Sequence, residues 1–228
     1  MLFHAAVFDN NEWGTMKITV LGGTGYGGAA VAAEAAKRGH EVTAVARRAP
    51  EQPLDGVAYL TGSLQDADFR AQAVAGADVV FEALSPRGDM VGQVEAIFDD
   101  LARLAAENGF RLGVLGGAGS LLVAEGGPRI IDVANPPADV LAEMQLGVYK
   151  LEAFRAAAEG LDWFYVSPAA EFGSWVPSTV TGSYRTSDDI LLSDENGKSE
   201  ISAADLALAV LDEIEEPRHT RRRFHVAH

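Results

Sequence analysis

Short apolar runs of strand length alternate with amphipathic stretches of helix length along most of this chain. Such alternation is typical of βαβ units, in which parallel strands form one sheet and helices cover both of its faces. The sequence therefore predicts an α/β fold built on a doubly wound parallel sheet. The predicted strands span residues 17–21, 41–46, 57–61, 78–83, 111–115, 162–166 and 223–226, and the predicted helices span residues 27–38, 66–75, 90–108, 138–159 and 202–215.

The periodic pattern weakens in two places, residues 121–137 and the stretch after Pro168, where glycine, proline and polar residues interrupt the apolar positions. Neither place has the low complexity of a linker between domains. We expect a single domain over residues 16–228, with a small irregular C-terminal region on the substrate side. An N-terminal tail at residues 1–15 is expected to precede it.

Composition narrows the functional classes. The chain has 228 residues, of which 48% are hydrophobic, and it carries no cysteine and a net charge of −15. The lack of cysteine excludes disulfides, thiolate metal sites and cysteine nucleophiles, and the scattered histidines lack metal-ligand spacing, so we expect no metal. The negative charge disfavours nucleic acid and anionic membranes, and no apolar run reaches the roughly 18 residues of a membrane span. We expect a cytoplasmic protein, monomeric or homodimeric, with a small-molecule substrate.

A glycine-rich turn, GGTGYGG at residues 22–28, joins the first predicted strand to the first predicted helix. Glycine permits the positive φ of a tight turn, and the missing Cβ lets the backbone approach a pyrophosphate closely. The following helix presents free N–H groups and its positive dipole end to the anion. Gly22, Gly25 and Gly28 in this context predict a Rossmann-like domain that binds a dinucleotide.

Arg47 and Arg48 follow the second predicted strand, where an NAD-binding domain carries an acidic residue for the ribose 2′-hydroxyl. A guanidinium at this place is suited to bind a 2′-phosphate through two hydrogen bonds. The pair therefore favours NADP(H) over NAD(H). The alternative is that both are solvated loop arginines, which leaves NAD(H) open.

Several segments together resemble one family. The turn, the two arginines, the segment LGGAGSL at residues 115–121 and the block ISAADLALAVLDEIEEP at residues 201–217 resemble the atypical short-chain dehydrogenase/reductases. Within that group the chain is similar to the NmrA-like NAD(P)H-binding proteins, some of which are named NADH-flavin reductases. The resemblance covers about residues 16–228.

The resemblance implies a set of NADP(H) contacts. The family's adenine-contacting pair normally begins with Asp, so Ser63 is a departure that weakens this contact. The implied contacts are Gly22, Thr24, Gly25 and Tyr26 for the pyrophosphate, Arg47 for the 2′-phosphate, Ser63 and Leu64 for the adenine, Leu84, Ser85 and Pro86 for the ribose, and Ser167 and Pro168 near the nicotinamide.

Ordinary members of the family use a Tyr-x-x-x-Lys pair, in which the tyrosine is a general acid/base. Here Leu146 stands four positions before Lys150, and the tyrosine is the adjacent Tyr149. Adjacent side chains on a helix point about 100° apart, so Tyr149 and Lys150 cannot form that pair. A ketone needs a proton donor at its developing alkoxide, whereas a flavin or quinone ring spreads the charge itself. The missing pair therefore favours reduction of a ring, with flavin as a candidate substrate.

Three residues remain catalytic candidates, each with a plainer alternative. Ser120 follows the fifth strand and either hydrogen-bonds the substrate or nicotinamide or is a turn serine. Tyr149 either faces the pocket or lies outside it, and Lys150 either contacts the ribose or does not. Phe172 and Trp175 either wall an aromatic substrate pocket or form a local core.

The sequence leaves three functions open. The first is an NADPH-dependent reductase of flavins, quinones or related conjugated acceptors. The second is a non-catalytic sensor of the NmrA type, in which NADP(H) occupancy changes the binding of a protein partner. The third is a nucleotide-sugar epimerase or dehydratase, which is disfavoured because it normally needs the tyrosine acid/base.

Overall fold

The computed structural model describes residues 14–157 and 159–228. Most of the expected N-terminal tail, residues 1–13, therefore lies outside the described residues. The strands are β1 (Lys17–Leu21), β2 (Glu41–Ala46), β3 (Val57–Thr61), β4 (Val79–Glu82), β5 (Arg111–Leu115), β6 (Trp163–Ser167), β7 (Arg185–Ser187) and β8 (Arg222–Ala227); the helices are α1 (Tyr26–Lys37), α2 (Ala67–Val74), α3 (Val94–Asn108), α4 (Ile130–Val133), α5 (Ala138–Ala156) and α6 (Ala203–Glu215).

The eight strands form one sheet in the order β3-β2-β1-β4-β5-β6-β8-β7. All neighbouring pairs are parallel except β7 and β8, which are antiparallel. The chain runs outward from β1 through β2 to β3 and then returns to place β4 on the other side of β1. This reversal is the topological switch point, and ligands of such folds bind at the carboxyl ends of the strands beside it.

Helices cover both faces of the sheet, as the sequence predicts. On one face α1 and α6 pack together through residues such as Val31 and Val210. On the other face α3 and α5 bury residues such as Leu101 and Leu151 against the sheet. The central strand β4 is buried along its whole length because both faces are covered.

Helices α2 and α6 begin with a side-chain cap, whereas α1, α3 and α5 do not. Asp66 caps α2 by accepting from the N–H groups of Asp68 and Phe69, and Ser202 caps α6 by accepting from the Asp205 N–H. The residue before α1 is Gly25, which has no capping side chain. The first turn of α1 is therefore left with donors that a bound anion can use.

The sequence prediction missed or misplaced three elements. Strand β7 is short and polar at the sheet edge, so it lacks the apolar run that predicts a strand. Helix α4 lies inside the segment predicted to be irregular. Helix α3 begins at Val94 rather than at residue 90, because a 3₁₀ turn at Gly88–Met90 precedes it. Within the described ranges, no helix combines the length and apolar character needed to cross a bilayer.

Candidate functional site

The glycine turn after β1 has the close backbone packing that its sequence predicts. Gly22 has a φ of +79°, and a Cβ added to it would lie 2.7 Å from the carbonyl oxygen of Ala83. A Cβ on Gly28 would lie 2.4 Å from the carbonyl oxygen of Gly22. Both contacts are with backbone, which cannot rotate aside. Glycine is therefore required at Gly22 and Gly28 to keep this turn tight.

The N-terminus of α1 suits an anion. The cap residue Gly25 offers no side-chain acceptor, and the first turn contains no acidic residue. The first N–H groups of a helix have no partner within the helix, and the dipole adds positive potential there. An uncapped helix start behind a glycine turn fits a dinucleotide diphosphate.

Two clefts meet at this turn. The smaller has a volume of about 220 Å³ and lies toward the carboxyl ends of β2 and β3. A dinucleotide that follows the family pattern would place its adenosine half here. The smaller cleft brings together these residues implied by the resemblance: Gly22, Thr24, Gly25, Arg47, Ser63, Leu64, Leu84 and Ser85.

Arg47 stands at the rim of the smaller cleft with 62% of its side chain exposed, and it forms an ion pair with Asp89. An adjoining pocket is lined by Arg47 together with Thr24, Arg48 and Asp89. Asp89 follows β4 in the chain, and no feature of the sequence marks it for this place. A 2′-phosphate bound by Arg47 would meet the Asp89 carboxylate, so the two anions would compete for one guanidinium.

The larger cleft has a volume of about 350 Å³ and aromatic walls. Tyr26 and Phe172 pack with ring centroids 5.2 Å apart. Trp175 is 61% exposed, and the Arg87 guanidinium lies 5.1 Å from its ring centroid. Arg87 also forms an ion pair with Glu143 on α5. Phe172 and Trp175 therefore wall a cleft, and Phe172 also packs against the hydrophobic core. The cleft is suited to a flat ring.

Lys150 lies at the bottom of the larger cleft. It is among the lining residues although only 1% of its surface is exposed. Its Nζ donates to the Glu82 carboxylate at 2.6 Å. Ser85 and Pro86, which the resemblance assigns to the ribose, line the same cleft. Lys150 is thus the catalytic candidate that the fold brings to the cleft.

Tyr149 points away from both clefts. Its hydroxyl donates to both carboxylate oxygens of Asp99 on α3, at 2.9 and 2.8 Å, and it is not among the lining residues of either cleft. The hydrogen bond to Asp99 raises the pKa of the Tyr149 phenol, with burial adding to the rise. A tyrosine held in this way is a poor proton donor to a ligand at Lys150, and Tyr149 lies outside the proposed site.

Ser120, Ser167 and Pro168 are buried and line neither cleft. Arg223 on β8 donates from Nη1 to Ser120 Oγ at 3.1 Å and to Ser167 Oγ at 3.3 Å. Arg223 also pairs with Asp189. The two serines thus tie the ends of β5 and β6 to the irregular C-terminal region, and the sequence assignment of Ser120 to the substrate has no support from this position.

Tyr165 on β6 is buried and binds the backbone of the larger cleft's wall. Its hydroxyl donates to the Gly147 carbonyl at 2.9 Å and accepts from the Gly117 N–H at 3.1 Å. Burial raises the pKa of this phenol to about 12, which leaves it a neutral structural group. The bonds join α5 to the loop after β5, and Gly147 lines the cleft.

Comparison with known proteins places this geometry in a family context. The sequence model of the NAD(P)H-binding family matches residues 22–217. The uncharacterized protein YwnB of Bacillus subtilis is 36% identical over 216 residues, which cover 92% of this chain and 98% of YwnB. A solved "putative NADH-flavin reductase" from Streptococcus pneumoniae is 29% identical with a TM-score of 0.82, covering 93% of this chain and 99% of its own. A solved "putative epimerase" from Bacteroides thetaiotaomicron is 30% identical with a TM-score of 0.82, covering 94% and 97%.

Proposed function

The chain belongs to the NAD(P)H-binding family, and from this premise we propose that it is an NADPH-dependent reductase of a flavin, a quinone or a related conjugated ring. One observation carries the proposal: the diphosphate turn lies between a smaller cleft suited to adenosine and a larger cleft with aromatic walls. The two clefts share the lining residues Gly25, Ala83, Leu84, Ser85 and Arg87. A dinucleotide spanning the turn would therefore extend its nicotinamide half into the aromatic cleft.

The residues of the chain would bind and orient, and the cofactor would supply the reducing equivalent. When bound, NADPH supplies a hydride, and the ring acceptor takes one further proton from solvent. The N-terminus of α1 would hold the diphosphate, and Arg47 would hold the 2′-phosphate. Phe172 and Trp175 would hold the acceptor ring by stacking in the larger cleft, which is the positioning that hydride transfer needs.

The placement of the tyrosines favours a ring acceptor over a simple ketone. Leu146 occupies the position one helical turn before Lys150, and the Tyr149 hydroxyl is bound by Asp99. Tyr26 lines the cleft, but its hydroxyl lies 3.5 Å from Ser178 Oγ in the C-terminal region. A conjugated ring delocalises the incoming charge and needs no such donor, and the name of the streptococcal relative agrees with this choice.

The choice of NADPH over NADH rests on Arg47. Losing a charge-assisted hydrogen bond costs about 1.5–3 kcal/mol, so Arg47→Asp is expected to weaken NADPH roughly 10-fold to 100-fold while NADH changes little. Arg129→Asp is the matched control, because Arg129 is an exposed arginine paired with Asp132 outside both clefts. Unchanged preference for NADPH in Arg47→Asp would show that the 2′-phosphate contact is wrong.

The activity itself is tested by steady-state NADPH oxidation with FMN, FAD and a soluble quinone as separate acceptors. We expect turnover with at least one of them, with saturation in both NADPH and the acceptor. Tight NADPH binding with no turnover on any ring acceptor would overturn the reductase proposal. That outcome would favour the non-catalytic sensor.

A further inference from the structure

A buried ion pair joins the sheet to α5 directly beneath the larger cleft. Glu82, the last residue of β4, is 0% exposed and Lys150 is 1% exposed. One Glu82 oxygen accepts from Lys150 Nζ, and the other accepts from the Leu84 N–H at 2.6 Å. Among the described residues, Glu82 is the hydrogen-bond partner of Lys150 Nζ. The carboxylate is thus fixed by backbone on one side and holds the ammonium on the other.

Such a pair is costly for the fold. Removing two charges from water costs several kcal/mol per ion, and replacing a buried pair with apolar groups is often neutral or stabilising. The remaining neighbours at the bottom of the cleft include Leu146 and Leu115, which offer the ammonium no other charge. Stability alone therefore gives a poor account of a lysine and a glutamate at this place.

The cleft offers an electrostatic use for the ammonium. A ring that receives a hydride gains two electrons and one proton, and it carries an extra negative charge until solvent supplies a second proton. A fixed positive charge in a site of low dielectric stabilises such developing charge far more than one in water. Arg87 is the other cation that lines the cleft, but 53% of its side chain is exposed, so solvent screens its charge. Both cations are paired with a carboxylate, but Lys150 lines the cleft whereas its partner Glu82 does not.

We propose that Lys150 is a catalytic residue whose ammonium stabilises the negative charge of the ring acceptor, and that Glu82 is the positioning residue that holds it there. The proposal rests on the proposed reductase function and deepens it. The hydride leaves the dihydronicotinamide carbon with its electron pair and bonds to the acceptor ring, and the balancing proton comes from water.

The main test removes the whole pair. The double variant Glu82→Leu/Lys150→Met keeps similar side-chain volume and leaves no unpaired charge, which favours stability. It also removes the acceptor of the Leu84 N–H, so it is expected to melt close to the wild-type temperature. NADPH binding, measured by fluorescence titration, is expected to stay within about 3-fold of wild type. The single-turnover rate of hydride transfer to a quinone is expected to fall about 100-fold.

The matched control removes another buried pair. Arg111→Met/Glu213→Gln disrupts a pair at 2.5 Å whose arginine begins β5, at the end of the sheet opposite the clefts. This variant is expected to lose stability but to transfer hydride at the wild-type rate in its folded state. A general effect of losing buried charge would slow both double variants equally, and that result would overturn the role of Lys150.

The outcomes of these experiments distinguish failure of the Lys150 role from failure of the reductase function on which it rests. If wild type reduces a quinone and the Glu82→Leu/Lys150→Met variant does so equally fast, the inference fails and the reductase function stands. If the NADPH affinity of the variant falls by the same factor as its hydride-transfer rate, Lys150 holds the cofactor instead and the inference fails. If wild type reduces no ring acceptor, both fail. Should the double variant not fold, Glu82→Gln preserves the shape, and a wild-type hydride-transfer rate in that variant overturns the positioning role.

Discussion

The Gly22→Ala variant tests the diphosphate turn with one added methyl group. Gly22 has a φ of +79°, and its added Cβ would lie 2.7 Å from the Ala83 carbonyl oxygen. Gly39→Ala is a close control, because Gly39 has a φ of +86° with nothing within 4 Å of an added Cβ. Both variants share the strain of positive φ and the same change in unfolded-chain entropy. The contact with Ala83 distinguishes them.

The expected losses in the free energy of unfolding of the two variants follow from these contacts. Left-handed backbone costs an alanine about 1–2 kcal/mol, which for a chain of this size lowers Tm by roughly 2–8 °C. Gly39→Ala is expected to show this loss alone. Forcing a methyl group against backbone adds about 1–3 kcal/mol, so Gly22→Ala is expected to lose about 2–5 kcal/mol in total.

The binding assay then isolates the role of the turn. Ala83 lines both clefts, so a displacement of its carbonyl by the new methyl group moves the wall on which the dinucleotide rests. Calorimetric titration is expected to show at least about a 10-fold loss of NADPH affinity in Gly22→Ala and wild-type affinity in Gly39→Ala. Wild-type affinity in Gly22→Ala, or an equal loss in both variants, would refute a dinucleotide seated on this turn.

Three further predictions address other parts of the site and fold. Asp89→Asn removes the anion that competes for Arg47, so NADPH affinity is expected to rise about 2-fold to 5-fold while NADH affinity stays constant in the same titration. Trp175→Ala removes a stacking wall, so the KM for a quinone is expected to rise about 2-fold to 10-fold with little change in the KM for NADPH. Burial opposes ionisation of Glu213, but hydrogen bonds from His219 and Arg111 outweigh it and hold the pKa of this carboxyl below its usual 4.5. The ionised Glu213 carboxylate therefore contributes its full stabilisation above pH 4.5 and loses it as the pH falls below that value. In urea unfolding at a series of pH values, the free energy of unfolding of Glu213→Gln is expected to fall less steeply below pH 4.5 than that of wild type. An equally steep fall in both proteins would contradict this.

The sheet was largely predictable because its central strands are buried on both faces. The bounds of β1, β2 and β5 agree with the apolar runs of the sequence. The bounds of β3 also agree, although this strand lies at the edge of the sheet and is only partly buried. Such runs arise where helices cover both sides of a parallel sheet. Strand β7 has no such run because it lies at an exposed edge, and only its pairing with β8 makes it a strand.

The lining of the two clefts was predictable where it depends on residues that are neighbours in the sequence. The glycine turn and the residues at the strand ends around it are each set by a few neighbouring positions, and they do line the clefts. The burial of Ser120 beside Arg223 was not predictable, because the two residues stand 103 positions apart, beyond the reach of any local pattern. Glu82 was missed because a single glutamate at the end of an apolar strand belongs to no recognisable motif. Its contact with Lys150 forms only when the fold packs α5 against the sheet.

The most direct test of the central claim is a single-turnover experiment. Protein carrying one equivalent of NADPH is mixed with excess soluble quinone, and the loss of dihydronicotinamide absorbance is followed with protiated and C4-deuterated cofactor. A nicotinamide placed against a ring in the aromatic cleft predicts first-order oxidation, at least about 10-fold faster than without protein and slowed by deuterium. Oxidation at the same rate with and without the protein, although NADPH is bound, would contradict the claim.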